Sequence, residues 1–198
     1  ITGVIIMTVL LYLSGRLLFK DNDIKQMGYY ALLTIALIVV DTIIGTYFMK
    51  NCIMSYDAIV GARYYGVGNE YEGVTIASAV FALSVLLNYK KIPKWLTIVL
   101  SVIILITSAF PSMGANVGGA ISECVAYLLF IMLIFDIKLD FKKIMILGLS
   151  AVLIVLVFAA LDLFMGAESH LGVFAKQILQ EGPSAIILTF TRKISTNL

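Results

Sequence analysis

Six long apolar stretches dominate this sequence and restrict it to one class of fold. They cover residues 1–19, 28–49, 70–88, 92–110, 114–135 and 144–165, each close to the ~20 residues that cross a bilayer as an α-helix. Only 13% of the residues are charged and the mean hydropathy is +1.04, whereas a soluble domain is about one quarter charged. Because so apolar a chain cannot hide its surface inside a globule, lipid must be the solvent for most of it. Alternating strands of about ten residues, which are typical of a membrane barrel, do not occur, so the sequence predicts an all-α, polytopic transmembrane helical bundle of six spans.

We expect residues 1–182 to form the transmembrane domain and residues 183–198 to be a separate terminal segment. Pro183 and Ser184 are typical of a helix start. The apolar run at 185–190 is too short to span, so the segment is either an interfacial amphipathic helix or the first turns of a truncated further span. Since the sequence begins in an apolar run without Met and ends without a clear stop, we expect a fragment of a longer chain.

Basic residues in the linkers predict the orientation, because they collect on the cytoplasmic side of a plasma membrane. The linkers after the first, third and fifth spans carry nine of them: Arg16, Lys20, Lys25, Lys90, Lys91, Lys94, Lys138, Lys142 and Lys143. The other linkers carry three: Lys50, Arg63 and Lys176. We therefore expect a multi-pass plasma-membrane protein in which the segments around 61–73, 111–119 and 166–172 face outward.

The outward segment GARYYGVGNEYEG, residues 61–73, concentrates polar chemistry between apolar runs. An arginine side chain can hold a carboxylate or phosphate by two parallel hydrogen bonds, which makes Arg63 a candidate anion ligand together with Asn69. The glycines allow the segment to fold back and bring Glu70 towards Arg63. Tyr64 is either a substrate contact or, with the neighbouring tyrosines, part of an interfacial aromatic belt.

Three acidic residues lie in the outer halves of the spans, namely Asp41, Glu123 and Asp162. An ionised side chain at the centre of a bilayer costs about 2.5–3.5 kcal/mol on insertion scales, so three of them on one side indicate a shared polar cavity that opens outward. Each has an ordinary alternative. In these alternatives, Asp41 caps a neighbouring helix, Glu123 pairs with a lysine that reaches in from outside, and Asp162 lies at the membrane interface. His170, the single histidine, is a further candidate or else a solvated loop residue.

The segment MGANVGGAIS, residues 113–122, is rich in small residues and lies at the start of the fifth span. A helix start offers unpaired N–H groups and the positive end of the helix dipole, so Asn116, Gly118 and Gly119 predict an anion cradle. The segment lacks the Lys-Ser/Thr of a P-loop and follows no strand, which argues against a nucleotide site. Close packing between helices is the alternative role for these small residues.

Cofactors stay undetermined at the level of sequence. The candidate acids and His170 are acceptable ligands for a divalent cation, but HExxH and CxxC spacings do not occur. A disulfide between Cys52 and Cys124 is conceivable in an oxidising compartment. The net charge of +2 gives no support to nucleic-acid binding, so we expect no nucleic-acid partner.

Three outward segments resemble those of large bacterial multi-spanning membrane proteins, some of which carry an alkaline-phosphatase-like domain outside the membrane. The resemblance rests on GARYYGVGNEY at 61–71, MGANVGG at 113–119 and SHLG at 169–172. It implies a bacterial plasma-membrane protein and marks five motif positions: Arg63, Asn69, Glu70, Asn116 and His170.

Together these features lead to one main functional hypothesis and two alternatives. The main hypothesis is an outward-facing site that binds or processes an anionic, possibly lipid-linked envelope substrate such as a polyprenyl phosphate or glycan lipid, as a transferase or hydrolase if it is an enzyme. The alternatives are a secondary transporter, against which the few polar residues in the inner halves of the spans count, and a membrane anchor for a partner subunit or a missing extracellular domain. The candidate catalytic residues are Glu70, Glu123, Asp41 and His170, and the candidate substrate-binding residues are Arg63, Tyr64, Asn69, Asn116, Gly118 and Gly119.

Overall fold

The chain is an all-helical bundle, which confirms the fold class predicted from the sequence. A computed structural model describes residues 2–50, 66–90, 92–165 and 170–182, together with 184, 186–188, 191 and 195. Within these residues every regular element is a helix. Eight α-helices follow one another: α1 (Thr2–Phe19), α2 (Asp23–Ile43), α3 (Tyr47–Lys50), α4 (Asn69–Val85), α5 (Lys94–Ala109), α6 (Val117–Ile134), α7 (Phe141–Met165) and α8 (His170–Glu181).

Four of the described helices are long and apolar enough to cross a membrane: α1, α2, α7, and α4 together with the π-helical turn Leu86–Lys90 that extends it. Helices α5 and α6 are apolar but shorter. The six apolar stretches of the sequence therefore correspond to six apolar helices, and the membrane-protein class is supported by helix length and composition.

Asparagine side chains fix the starts of two helices, α2 and α6, at positions that differ from the predicted span limits. Asn22 accepts a hydrogen bond from the Lys25 amide and begins α2 five residues before the predicted limit, in the linker. Asn116 accepts one from the Gly119 amide and begins α6 after the predicted limit at 114. An N-cap side chain satisfies an amide that the first helical turn leaves without an intrahelical partner, which is why these positions decide the boundary.

The centre of the bundle is the contact between α2 and α4, the most extensive between any two helices. Gly28 permits it, since a Cβ atom there would lie 2.5 Å from a methyl carbon of Val85. Helices α5 and α6 pack beside this pair, and a buried cluster of Ile35, Ala79, Ile104 and Tyr127 joins all four helices. Helices α1 and α7 lie at the periphery and leave most of their apolar side chains exposed, as lipid-facing helices do.

The two ends of the bundle differ in chemistry. At one end, Lys94 at the start of α5 donates to the Ile134 carbonyl at the end of α6, and the Lys25 ammonium lies 4.8 Å from the centroid of the Tyr89 ring. We call this the basic end, formed by residues 20–22, 92–93 and 135–140. At the other end, the Val67 amide donates to the Gly114 carbonyl at 2.7 Å. We call this the glycine-rich end, formed by residues 66–68 and 110–116.

Two predictions about connections require correction. The second span was expected to continue to residue 49, but α2 ends at Ile43 and the separate helix α3 follows a turn with positive φ at Gly45 and Thr46. Residues 170–172 were expected in a loop, yet α8 begins at His170. Beyond residue 182 the few described residues are helical, and both alternatives for the terminal segment stay predictions.

Candidate functional site

Two carboxylates are buried together near the glycine-rich end of the bundle. Glu72 lies in the first turn of α4 and is 4% exposed, and Glu123 lies in α6 and is fully buried. The two side chains are close enough to interact electrostatically. We call Glu72 and Glu123 the carboxylate pair.

Glu123 is held by a contact between α5 and α6. The Ser108 hydroxyl donates to its Oε1 at 2.9 Å, whereas its Oε2 has no hydrogen-bond partner among the described residues. Tyr127 follows one helical turn along α6 on the same face, and its hydroxyl is near enough to both carboxylates to interact with them electrostatically. That hydroxyl is buried and also has no hydrogen-bond partner within the described part of the chain.

Glu72 is held by the residue that begins α6. The Asn116 side chain accepts from the Gly119 amide at 3.0 Å through Oδ1 and donates to Glu72 Oε2 at 3.1 Å through Nδ2. The Glu72 carboxylate also lies directly on Gly119, because a Cβ atom there would be 2.3 Å from Glu72 Cδ. A negative group is favoured beside a helix N-terminus, and here the chain supplies that group itself.

The backbone around the pair is fixed by a set of hydrogen bonds between loops. The Gly114 amide donates to the Thr107 carbonyl at 2.9 Å, and the Asn116 amide donates to the Ser108 carbonyl at 3.0 Å. Gly66, with a φ of +77°, crosses so closely that a Cβ atom there would lie 2.3 Å from the Gly114 carbonyl oxygen. These contacts place the start of α4 against the start of α6, which brings Glu72 to Asn116.

The chemistry of this arrangement is that of an acid and base in a medium of low dielectric constant. Two neighbouring carboxylates that are both ionised repel each other, and burial adds a desolvation cost to each charge. A proton held between them removes the repulsion and leaves only one buried charge, and a group that holds a proton in this way can release it as a general acid or accept it as a general base. Among the described residues there is no group of three or more His, Cys, Asp or Glu side chains that could hold a metal ion.

Three of the residues predicted from the sequence meet at this site: Glu123, Asn116 and Gly119. Asn69 and Glu70 begin α4 at the same end, but both are exposed. Gly118 is exposed as well, and among the described residues a Cβ atom there would meet Asn116 Oδ1, at 3.8 Å. The structure therefore separates Glu70, on the outer surface of the first turn of α4, from Glu72, which faces the interior.

Asp41 lies apart from the carboxylate pair and has the geometry of a helix cap. Its Oδ1 accepts from the Phe48 amide at 2.9 Å and its Oδ2 accepts from the Met49 amide at 2.8 Å, both at the start of α3. This matches the capping alternative that the sequence left open, and its catalytic role stays a prediction.

Several predicted residues cannot be placed. Arg63, Tyr64 and Cys52 lie outside the described residues. The backbones of Asp162 and His170 belong to α7 and α8, but their side chains are outside the description. Cys124 is buried as a free thiol.

Sequence reasoning missed Glu72, Ser108 and Tyr127. A signal for Glu72 exists in the helical spacing of α4, since the buried positions Glu72, Thr75, Ala79, Ala82 and Leu83 repeat at intervals of three, four, three and one. Glu72 lies on this face and Glu70 does not, because side chains three or four residues apart share a helix face. The polarity of the segment 61–73 drew the prediction to Glu70 instead.

No protein-family model, curated protein or solved structure matches this chain. The fold and the site define an all-helical protein of the membrane class with a buried carboxylate pair near one end of its bundle.

Proposed function

We propose that the chain is a plasma-membrane protein whose carboxylate pair exchanges a proton with an anionic, possibly lipid-linked envelope substrate bound at the extracytoplasmic face. The observation that carries this proposal is the burial of Glu72 and Glu123 beside each other, with Glu72 bonded to the residue that begins α6 and Glu123 bonded to Ser108 of α5. A pair that served only stability would more simply be replaced by apolar side chains, because buried charges are costly to retain.

The position of the pair supports this proposal. It lies at the end of the bundle opposite the basic loops, which is the extracytoplasmic end if basic residues mark the cytoplasm. Glu72 is separated from the surface by a single turn of α4, whose exposed first residues are Asn69 and Glu70. A substrate bound against that turn would be near a group able to give or take a proton.

The anionic part of the substrate needs a cation that the pair does not supply. Since the Glu72 carboxylate already covers Gly119, the start of α6 is not open to a second anion at that position. Arg63 is the arginine nearest to this turn in the sequence, six residues before Asn69. We assign to it the role of phosphate ligand, with Tyr64 as the further candidate.

A binding experiment tests the proposal. The purified protein in nanodiscs is titrated with a fluorescent polyprenyl phosphate from mildly acidic to mildly alkaline pH, with phosphatidylglycerol as the competing anionic lipid. We expect selective binding that depends on pH, weaker binding for Arg63→Ala, and loss of the pH dependence for Glu72→Gln and Glu123→Gln. Glu70→Gln is the matched control, since it makes the same change two residues from Glu72 at an exposed position.

The proposal is wrong if wild-type protein binds polyprenyl phosphate no better than phosphatidylglycerol, or if both glutamine variants keep the wild-type pH profile. Binding that is selective but identical in Arg63→Ala would instead remove only the role assigned to Arg63.

Secondary transport is the second candidate function, and one observation favours it. The sequence shows few polar residues in the halves of the spans expected to be cytoplasmic, but Thr97 and Ser101 lie in the half of α5 nearer the basic end and are almost completely buried. Uptake of labelled substrate into proteoliposomes, driven by a pH gradient, separates the two functions, because a binding or processing site alone gives no accumulation.

A further inference from the structure

Buried hydroxyl groups continue from the carboxylate pair towards the basic end of the bundle. Along α5, Thr97, Ser101 and Ser108 lie at intervals of four and seven residues, with Ile104 between the last two, and all four are buried. At about 100° per residue these positions fall within one narrow stripe of the helix surface. The stripe begins at Thr97, whose hydroxyl donates to the Lys94 carbonyl at the basic end, and it ends at Ser108, which donates to Glu123.

Three atoms along this line are buried without a hydrogen-bond partner among the described residues: Ser101 Oγ, Tyr127 OH and Glu123 Oε2. Buried polar groups in a membrane protein nearly always find a partner, because an unsatisfied group in an apolar medium is costly. A buried water bonds two to four polar groups, so water is the ligand that such unpartnered atoms are suited to hold. Tyr127 packs in one buried cluster with Ile104 of this stripe, and its hydroxyl is near enough to Glu123 and Glu72 to interact with them electrostatically.

We propose that this line is a proton route, along which protons pass from the basic end through Thr97, Ser101 and Tyr127 to the carboxylate pair. The inference rests on the proposed function, because it needs the pair to bind a proton. A hydronium ion at the basic end gives up its proton, each hydroxyl or water of the line accepts one proton and releases another, and a Glu123 carboxylate becomes a carboxylic acid. No electrons move and no covalent bond other than O–H is broken.

Other titratable groups lie on the elements that pack around the pair, and none replaces it in this role. On α2, Asp41 is bonded to the amides of α3. On α6, Cys124 neighbours Glu123 in the sequence but points to a different face of the helix. On α4, Tyr71 precedes Glu72, and Glu70 is exposed. The pair with Tyr127 is therefore the group of titratable side chains that the stripe of hydroxyls reaches.

Proton flux into proteoliposomes tests the route. Vesicles that contain the purified protein and a pH-sensitive dye are given a membrane potential with potassium and valinomycin, and the initial rate of acidification is measured against protein-free vesicles. We expect wild-type flux above that background and a decrease of about fivefold for Ser101→Ala and for Thr97→Val, the factor expected when a rate-limiting step loses one hydrogen bond. Ser101→Thr, which keeps the hydroxyl, should restore the flux.

Thr107→Val is the matched control. Thr107 is also a buried threonine of α5 whose hydroxyl donates to a carbonyl of its own helix, but it lies about 80° away from Thr97 around the helix. Its variant should conduct as the wild type does. Each variant is compared only after its elution profile and thermal unfolding in detergent match those of the wild type.

The outcomes separate this inference from the proposed function. If wild-type flux equals the background, or if Ser101→Ala and Thr97→Val conduct at the wild-type rate, the route is wrong. If those variants conduct normally while Glu123→Gln still abolishes the pH dependence of lipid binding, the route fails and the proposed function stands. If Glu123→Gln changes neither flux nor lipid binding, both fail.

Discussion

The carboxylate of Glu72 packs directly against Gly119, so that this side chain of the first turn of α4 meets the first turn of α6 at a position where α6 has no side chain. The adjacent Gly118 faces away from this contact and is exposed. Two consecutive glycines at one helix start therefore have different surroundings, and it is the second that lies against the Glu72 carboxylate.

Gly119→Ala should destabilise the protein, and Gly118→Ala should not. A methyl group on Gly119 would lie 2.3 Å from Glu72 Cδ and 2.6 Å from Asn116 Nδ2, so it must displace both partners of the hydrogen bond that joins them. Overpacking of this kind costs typically about 1–3 kcal/mol. The free energy of unfolding in SDS-containing mixed micelles measures the difference, and equal values for the two variants would contradict the close contact.

Ser108→Ala should be more harmful than Ser101→Ala, although both replace a buried serine on the same face of α5. Ser108 donates to Glu123 Oε1, and its removal leaves a buried carboxyl oxygen without a partner, which costs about 1–3 kcal/mol. Ser101 has no protein partner to lose within the described structure, so its variant should be nearly neutral in stability. Unfolding of the two variants under identical conditions checks this, and a larger loss for Ser101→Ala would show that Ser101 has a structural partner.

Much of the fold follows from the sequence, because each lipid-facing span must be apolar along about 20 residues and that length can be counted. The break between α2 and α3 could not be predicted from the length of an apolar run. Residues 44–49 are as apolar as the helix before them, and the chain leaves the helix there because Asp41 binds the amides of Phe48 and Met49. Such a contact depends on which carboxylate reaches which amide, and hydropathy does not contain that information.

Part of the candidate site could also be predicted from the sequence. Glu123 and Asn116 stand out because a charge or a capping residue within an apolar run is conspicuous. Glu72 does not stand out in the sequence, since it lies among other polar residues. Only the helical phase of α4 turns its side chain towards the interior. Ser101 and Ser108 do not stand out either, because serines are common in apolar helices. Their alignment with Glu123 depends on the register between α5 and α6.

Asp41→Ala should destabilise the connection between α2 and α4 by about 1–2 kcal/mol, the usual effect of losing a helix cap. Both carboxylate oxygens accept backbone hydrogen bonds from α3, so amide exchange of Phe48 and Met49 should accelerate most. Asp41→Asn, which keeps one acceptor oxygen, should have an intermediate effect. Asp23→Ala, an exposed aspartate in the first turn of α2, is the control and should leave those two amides unchanged. Unchanged exchange in Asp41→Ala would contradict the capping role.

The first turn of α7 should lose stability in acid through Asp140. This exposed aspartate precedes α7, and its carboxylate accepts from the Lys143 amide at 2.9 Å and lies 3.1 Å from the Lys143 ammonium. The hydrogen bond from the Lys143 backbone, followed by that from the Lys143 side chain, lowers the pKa of Asp140. A carboxylate whose pKa is lower in the folded state stabilises that state above its unfolded-state pKa, and the contribution disappears as the pH falls through the folded-state pKa.

Amide exchange of Lys143 measured against pH, after correction for the intrinsic rate, should therefore show protection that decreases in acid. Asp140→Asn keeps an acceptor oxygen for the cap but cannot titrate, so its protection should be weaker and independent of pH over the same range. Asp136→Asn is the control, because Asp136 lies in the same loop and it is Asp140 that bonds Lys143, so this variant should retain the wild-type profile. A wild-type profile in Asp140→Asn would mean that another group controls the acid response of this helix start.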